Sequence, residues 1–190
     1  MFDTLSAAVL ATSSVVTAVP CESAPGADYE HLSDVCAEYL DGAIAYSATF
    51  GASLSPSPAS QQVLIWREGE TWQIRIAGYQ WAPGGPVITR RREMPISSED
   101  AQSVIGLLDE AAFTRLGKIS YYGSPLRICT DGASYTIAMS DGISKRSASQ
   151  HSCAGRTEIN SISAAFRTLA IKYDPEFTEL LDGLRASNPE

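Results

Sequence analysis

Hydrophobic and polar positions alternate most cleanly at residues 72–77, where Trp72, Ile74 and Ile76 are separated by Gln73, Arg75 and Ala77. A period of two places one set on a core and the other toward solvent, the signature of a half-buried strand. The alternation returns where Tyr135, Ile137 and Met139 interleave with Ser134, Thr136 and Ala138. Val63 to Trp66 is a short unbroken apolar run, which predicts a buried strand. Glu68-Gly69-Glu70 turns the chain, and Pro83-Gly84-Gly85-Pro86 forms a loop. Val87 to Arg92 gives another strand whose charged end suits the edge of a sheet. The polar stretch carrying Lys145 and Arg146 reads as a second edge strand.

The helical period is clearest late in the chain. Ile159, Ile162, Phe166, Leu169 and Tyr173 fall on one stripe, and Asp174-Pro175 then opens a last helix with Phe177, Leu180, Leu181 and Leu184 on its buried side. Ser97 followed by Asp100 is a capping pattern, and it predicts a helix with Ile105, Leu108, Ala112 and Leu116 inward, stopped by Gly117. Residues 28–46 read as a helix with Val35, Tyr39 and Ala43 near one face, and Gly51 to Gln61 as a Ser/Pro-rich linker. The expected fold is α+β: an antiparallel β-sheet of about five strands, helices packed on one face, and a helical acidic N-terminal arm ahead of it. The expected divisions are 1–18 as a signal peptide or apolar helix, 19–50 as the arm, 51–61 as the linker and 62–190 as one α+β domain.

Charge sharpens this division. Residues 1–60 hold no Lys or Arg and seven acids, whereas all 14 cations lie in the remainder. The net charge of −8 argues against a nucleic-acid partner, because phosphate backbones reward clustered cations. Leu5 to Ala18 is a modest apolar run ending in the small-residue pattern Val16-Thr17-Ala18, compatible with signal cleavage, although Asp3 stands where such signals carry cations. The run is too short for a membrane span, which needs about 20 mostly apolar residues.

The 190-residue chain has four cysteines, at 21, 36, 129 and 153. Their even number and local spacing predict disulfides, and with them a secreted or periplasmic location. Asp141-Gly142 read as a two-residue hairpin turn sets Ser140 opposite Ile143, so that paired numbers sum to 283. A one-residue bulge at Asp131-Gly132 lowers the sum to 282, which places Cys129 directly across from Cys153. Cys21 and Cys36 form the other candidate pair. A rival reading makes Asp131-Gly132 a second tight turn, and a third gathers Cys129, Asp131, His151 and Cys153 as zinc ligands, without the Cys-x-x-Cys spacing zinc sites favour.

Other chemistry is sparse. His31 and His151 are the only histidines, and no nucleophile elbow, phosphate loop or dinucleotide fingerprint accompanies them. No cofactor is expected. Arg90-Arg91-Arg92 is the one dense cationic run. With Tyr79 and Trp81 as aromatic neighbours, Arg90 and Arg92 form a candidate protein-binding patch, since Arg, Trp and Tyr concentrate interface energy. The same patch is also a candidate dock for the acidic arm.

Cys129-Thr130-Asp131-Gly132-Ala133-Ser134-Tyr135, then Asp141-Gly142, a basic strand and an amphipathic helix, resembles small exported bacterial proteins of unknown function across residues 126–173. The resemblance implies export and carries no activity. The function expected from the sequence is therefore a non-enzymatic secreted or periplasmic interaction module, such as an inhibitor, an immunity-type protein or an envelope accessory. A small hydrolase with a histidine base and a self-associating structural domain are the alternatives.

Overall fold

The structure, a computed structural model, describes residues 18–21, 35–53, 59–82, 85–116, 132–151 and 158–177. Seven antiparallel strands form one sheet: β1 (Val19–Pro20), β2 (Ala45–Ser53), β3 (Ala59–Glu68), β4 (Thr71–Ala82), β5 (Gly85–Ile96), β6 (Gly132–Ser140) and β7 (Ser144–His151). Their order across the sheet is β1-β7-β6-β2-β3-β4-β5. Three helices accompany them, α1 (Ser98–Ile105), α2 (Glu110–Leu116) and α3 (Glu158–Tyr173). The α+β class stands as the sequence implies, but the sheet has seven strands rather than about five.

The extra strands correct the reading of the N-terminal region. Residues 45–53, assigned to the end of the helical arm and the start of the linker, form the central strand β2, paired with β3 on one side and β6 on the other. Its inward positions Tyr46, Ala48 and Phe50 alternate with Ser47 and Thr49, a period of two that small residues disguise. Ala59 to Gln61, also assigned to the linker, belong to β3. What replaces the described part of the predicted helix is a turn at Val35–Cys36 and a short 3-10 segment, Glu38–Leu40. Residues 28–34 of that helix, and Pro175's helix beyond Phe177, lie outside the described residues.

One face of the sheet carries the main core. Val63, Ile65, Trp72, Ile74, Ile76 and Ile137 pack against Ala101 and Val104 of α1, Phe113 of α2, and Ile159, Ile162, Phe166 and Leu169 of α3. Phe50 stands edge-on to both Tyr135 and Phe177, with centroids 6.3 and 6.1 Å away. The helix expected from Ser97 to Leu116 is two helices. Gly106 ends α1, and Asp109 starts α2 by accepting a hydrogen bond from the Ala112 amide at 2.6 Å. Ser97 caps α1 as the pattern predicts, accepting from the Asp100 amide at 3.1 Å.

Asp100 also ties α1 to α3. Lys172 Nζ donates to its carboxylate at 2.7 and 2.8 Å, and the Tyr173 hydroxyl donates at 2.5 Å. These two neighbours, Lys172 first, hold its carboxyl down at about 2. A carboxyl with a lowered folded-state pKa stabilises the fold above the ordinary carboxylate range and loses that contribution as pH falls from about 4 toward about 2. Acid titration of unfolding is therefore expected to show a shallower decline between pH 5 and pH 2 in Asp100→Asn than in the unaltered chain. Parallel curves over that interval would contradict the tie.

Candidate functional site

The second face of the sheet is covered at one end by the segment after Val35. Val35 and Leu40 pack with Ala45 and Leu64 into a small separate core, flanked by Cys36, Ala37, Ala43, Trp66 and Ala138. The chain then reverses: Ala43 N donates to Leu40 O at 2.8 Å, and both central residues, Asp41 and Gly42, have positive φ (48° and 70°). Two positive φ values mark a type I′ turn, which Asp-Gly suits.

A second Asp-Gly turn meets it from the β6–β7 hairpin. Ser140 pairs with Lys145, so paired numbers sum to 285 and the loop spans four residues rather than two. The Asp141 side chain is the reason. Its Oδ1 accepts from the amides of Ile143 (3.0 Å) and Ser144 (2.8 Å), closing the wider loop. Those amide donors, Ser144 first, hold the Asp141 carboxyl below the usual carboxylate range. The register on which Cys129 was set opposite Cys153 therefore does not hold in the described part of this hairpin. Both of those cysteines, and the Asp131-Gly132 bulge, lie outside the described residues.

The other candidate pair does form. Cys21 and Cys36 are joined in a disulfide with Cα atoms 5.4 Å apart. It fastens β1, whose Val19 and Pro20 pair with Lys145 and Ser144, to the segment on the sheet's second face. Ser140 sits beneath it. Its Oγ lies 3.5 Å from Cys21 Sγ and accepts from the Gly142 amide at 3.0 Å. Above this floor opens a pocket of about 130 Å³ lined by Cys21, Val35, Cys36, Ala37, Leu40, Gly42, Ala43, Ser140 and Gly142.

The rim is apolar. Among the described residues five large hydrophobic side chains are exposed: Val19, Tyr39, Ile44, Leu107 and Ile143. Four of them, all but Leu107, are within two residues in sequence of a residue lining this pocket. Ile143 is 80% exposed at the loop tip that Asp141 fixes. Tyr39 is fixed too: Arg75 Nη1 donates to its hydroxyl at 2.9 Å, and the guanidinium lies 5.5 Å from the ring centroid. The Arg75 side chain is only 4% exposed and pairs with Glu93 Oε1 at 3.3 Å, which Arg91 also reaches at 2.6 Å.

Of the predicted Arg/aromatic patch, Tyr79 and Arg92 have described side chains. Tyr79 is buried, 1% exposed, on the sheet face opposite Ile76, with its hydroxyl 3.5 Å from Gln62 Oε1. Its burial removes it as a surface anchor. Arg92 pairs across from Ile76 and reaches Asp174 Oδ1 at 3.7 Å. Arg90 pairs with Gly78 and Trp81 with Pro86; their side chains are not among those described. The described arm segment meets the sheet through Val35, Leu40 and Tyr39.

His31 lies outside the described residues, and His151 ends β7 opposite Ser134. Among the described residues no three His, Cys, Asp or Glu side chains are grouped as a metal site. Among the same residues, no helix is long and apolar enough to cross a membrane. A small pocket with exposed apolar residues close by in sequence suits recognition of a protein side chain. The chain matches no protein-family model, and searches of curated proteins and of solved structures return no match.

Proposed function

We propose that this chain is a non-enzymatic interaction module that works outside the reducing cytoplasm, secreted or periplasmic, and binds a protein partner through its disulfide-clasped end. The carrying observation is that, among the described residues, four of the five exposed large hydrophobic residues lie within two positions in sequence of a residue lining the pocket that Cys21–Cys36 floors. Scattered exposed hydrophobics need no explanation, whereas several next in sequence to the lining of one pocket supply what an interface core is built from. Prior ordering strengthens the reading, because the Tyr39 side chain and the Ile143 backbone are already held before binding. The disulfide supports the compartment, since such bonds persist in oxidising surroundings. The likeness of residues 126–173 to small exported proteins points the same way.

Ile143→Asp is expected to weaken partner capture by about tenfold or more, the scale of an interface anchor, with the fold retained. Leu107→Asp, on the fifth exposed large hydrophobic residue among those described, one whose sequence neighbours do not line the pocket, is expected to capture the same partner undiminished. The comparison is made by quantitative mass spectrometry of material captured from native envelope or culture fluid by the oxidised protein. Equal losses in both variants, or none in Ile143→Asp, would remove this end of the molecule as the interface.

A further inference from the structure

Two Asp-Gly pairs lie wholly within the described residues, Asp41-Gly42 and Asp141-Gly142, and the glycine of each lines the pocket. Aspartate before glycine is the dipeptide most open to attack by its own backbone. The glycine nitrogen has no neighbouring side chain to shield it, and closing it onto the aspartate side-chain carbon makes an unstrained five-membered ring. Glycine also gives the backbone the freedom that ring closure needs. In a folded chain the reaction then depends on whether the nitrogen and the carboxyl are already engaged.

At Asp141-Gly142 both are engaged. The Gly142 amide donates to Ser140 Oγ at 3.0 Å. The Asp141 carboxylate accepts from the amides of Ile143 and Ser144 and from the Ser144 hydroxyl, which lies 3.4 and 3.3 Å from its two oxygens. These donors point the side chain forward along the chain and keep it ionised, and a carboxylate is a poor electrophile. Asp41-Gly42 has none of these restraints. Both residues are exposed, and among the described residues nothing bonds to the Asp41 carboxylate or accepts from the Gly42 amide. The hydrogen bond of this turn, Ala43 N to Leu40 O, spans the pair without using either group. Asp41 is also the only non-glycine residue with positive φ among those described, at 48°, so its backbone gains from leaving that conformation.

We propose that Asp41-Gly42 is a site of spontaneous isomerisation to isoaspartate, and that the hydrogen bonds around Asp141-Gly142 hold the second pair against the same change. Gly42 N bonds to Asp41 Cγ, and the carboxyl hydroxyl leaves with the amide proton as water, giving a succinimide. Water then adds to one ring carbonyl and breaks its bond to the nitrogen. Opening at the former backbone carbonyl leaves Gly42 N on Cγ and a free carboxyl on Cα. Nothing is oxidised or reduced, and the mass returns to its starting value. The main chain is now one carbon longer immediately before Gly42. That residue has no slack, because its carbonyl oxygen occupies the place where a Cβ on Gly142 would fall. The added carbon therefore pushes the two turns apart and moves one wall of the pocket. This covalent change stands independently of the reading of the pocket as an interface; on that reading, it retires the binding face as the protein ages.

The test incubates the full oxidised chain at neutral pH in water enriched in heavy oxygen, then digests it in ordinary water and follows the peptides holding Asp41 and Asp141 by mass spectrometry. Each ring opening inserts one heavy oxygen, and fragmentation distinguishes isoaspartate from aspartate. Uptake at Asp41 is expected to be faster than at Asp141 by about tenfold or more, the rate difference that one lost or gained hydrogen bond to a reacting group can supply. In the reduced chain held unfolded in urea the two pairs are expected to label at similar rates, since both are then plain Asp-Gly. As isoaspartate accumulates at position 41, a melting transition below that of the fresh chain is expected to grow in proportion. No uptake at Asp41, or equal uptake at both pairs in the folded chain, would overturn the proposal. So would a contrast that persists in urea, which would assign it to neighbouring sequence rather than to the fold. A converted chain that melts like the fresh one would overturn the displacement of Gly42.

Discussion

Replacing both Cys21 and Cys36 by serine is expected to lower the unfolding free energy by about 3 kcal/mol, the chain-entropy scale for a loop of about 15 residues. The disulfide links residues 15 positions apart, and removing it frees that span in the unfolded state. The native state loses more locally. β1 has only two paired residues, and without its tether the cost of ordering them is no longer offset by the clasp. For a domain of this size the melting temperature is expected to fall by about 6–12 °C. Denaturant unfolding of the oxidised chain and the double-serine variant measures the difference, and a change below about 1 kcal/mol would show that the span is held by other contacts. Binding through the pocket is expected to fall in the same variant, because Cys21 and Cys36 form part of its lining.

The second large effect is expected at Gly142. Its φ of 92° is one that side chains rarely adopt, and a Cβ there would fall on the carbonyl oxygen of Gly42. Both partners in that collision are backbone, so neither rotates away. Gly142→Ala is expected to cost about 3 kcal/mol, adding steric displacement to the backbone strain of a positive φ. Gly42 is its internal control. Its φ is 70°, but a Cβ there meets only the Gly142 carbonyl oxygen at an ordinary 3.6 Å. Gly42→Ala is expected to cost about 1 kcal/mol, from the backbone conformation alone. Equal costs at the two positions would mean that the two turns do not meet as described. The asymmetry matters for function, because the contact of the Asp41-Gly42 and Asp141-Gly142 turns closes one side of the pocket.

Much of the frame was legible from periodicity. Trp72, Ile74 and Ile76, then Ile137, and then Ile159, Ile162, Phe166 and Leu169 are buried as their spacing requires, and the charged strand at Arg90–Arg92 is an edge. What escaped was carried by small residues. β2 reads Ala-Tyr-Ser-Ala-Thr-Phe-Gly-Ala-Ser, whose alanines, serines and glycine are weak strand formers, yet it sits centrally because its neighbours come close. Gly51 shows how close: a Cβ there would lie 2.7 Å from Ser134 Oγ. The break between α1 and α2 was written in Gly106 and Asp109, but an apolar stripe running through both masked it.

The candidate site was legible only in fragments. Spacing made Cys21 and Cys36 a candidate pair, but the pocket needs two Asp-Gly turns 100 residues apart to touch, and no local pattern reports that. The available signal was an apolar residue at or just after each turn, Ile44 and Ile143, where turns are ordinarily polar. Arg75 and Tyr39 were missed for a related reason. An arginine in the polar phase of a strand reads as solvent-facing, whereas here Tyr39 lies over it. Tyr79 does not serve as a surface anchor, because it is buried on the second sheet face.

The most direct test of the clasped end as an interface places a photo-crosslinking residue at position 143 of the oxidised protein, with position 107 as the control, and irradiates it in its native compartment. The account predicts one protein adduct from position 143 that is lost in the double-serine variant and absent from position 107. Adducts from position 107 alone, or an adduct from 143 that survives loss of the disulfide, would contradict it.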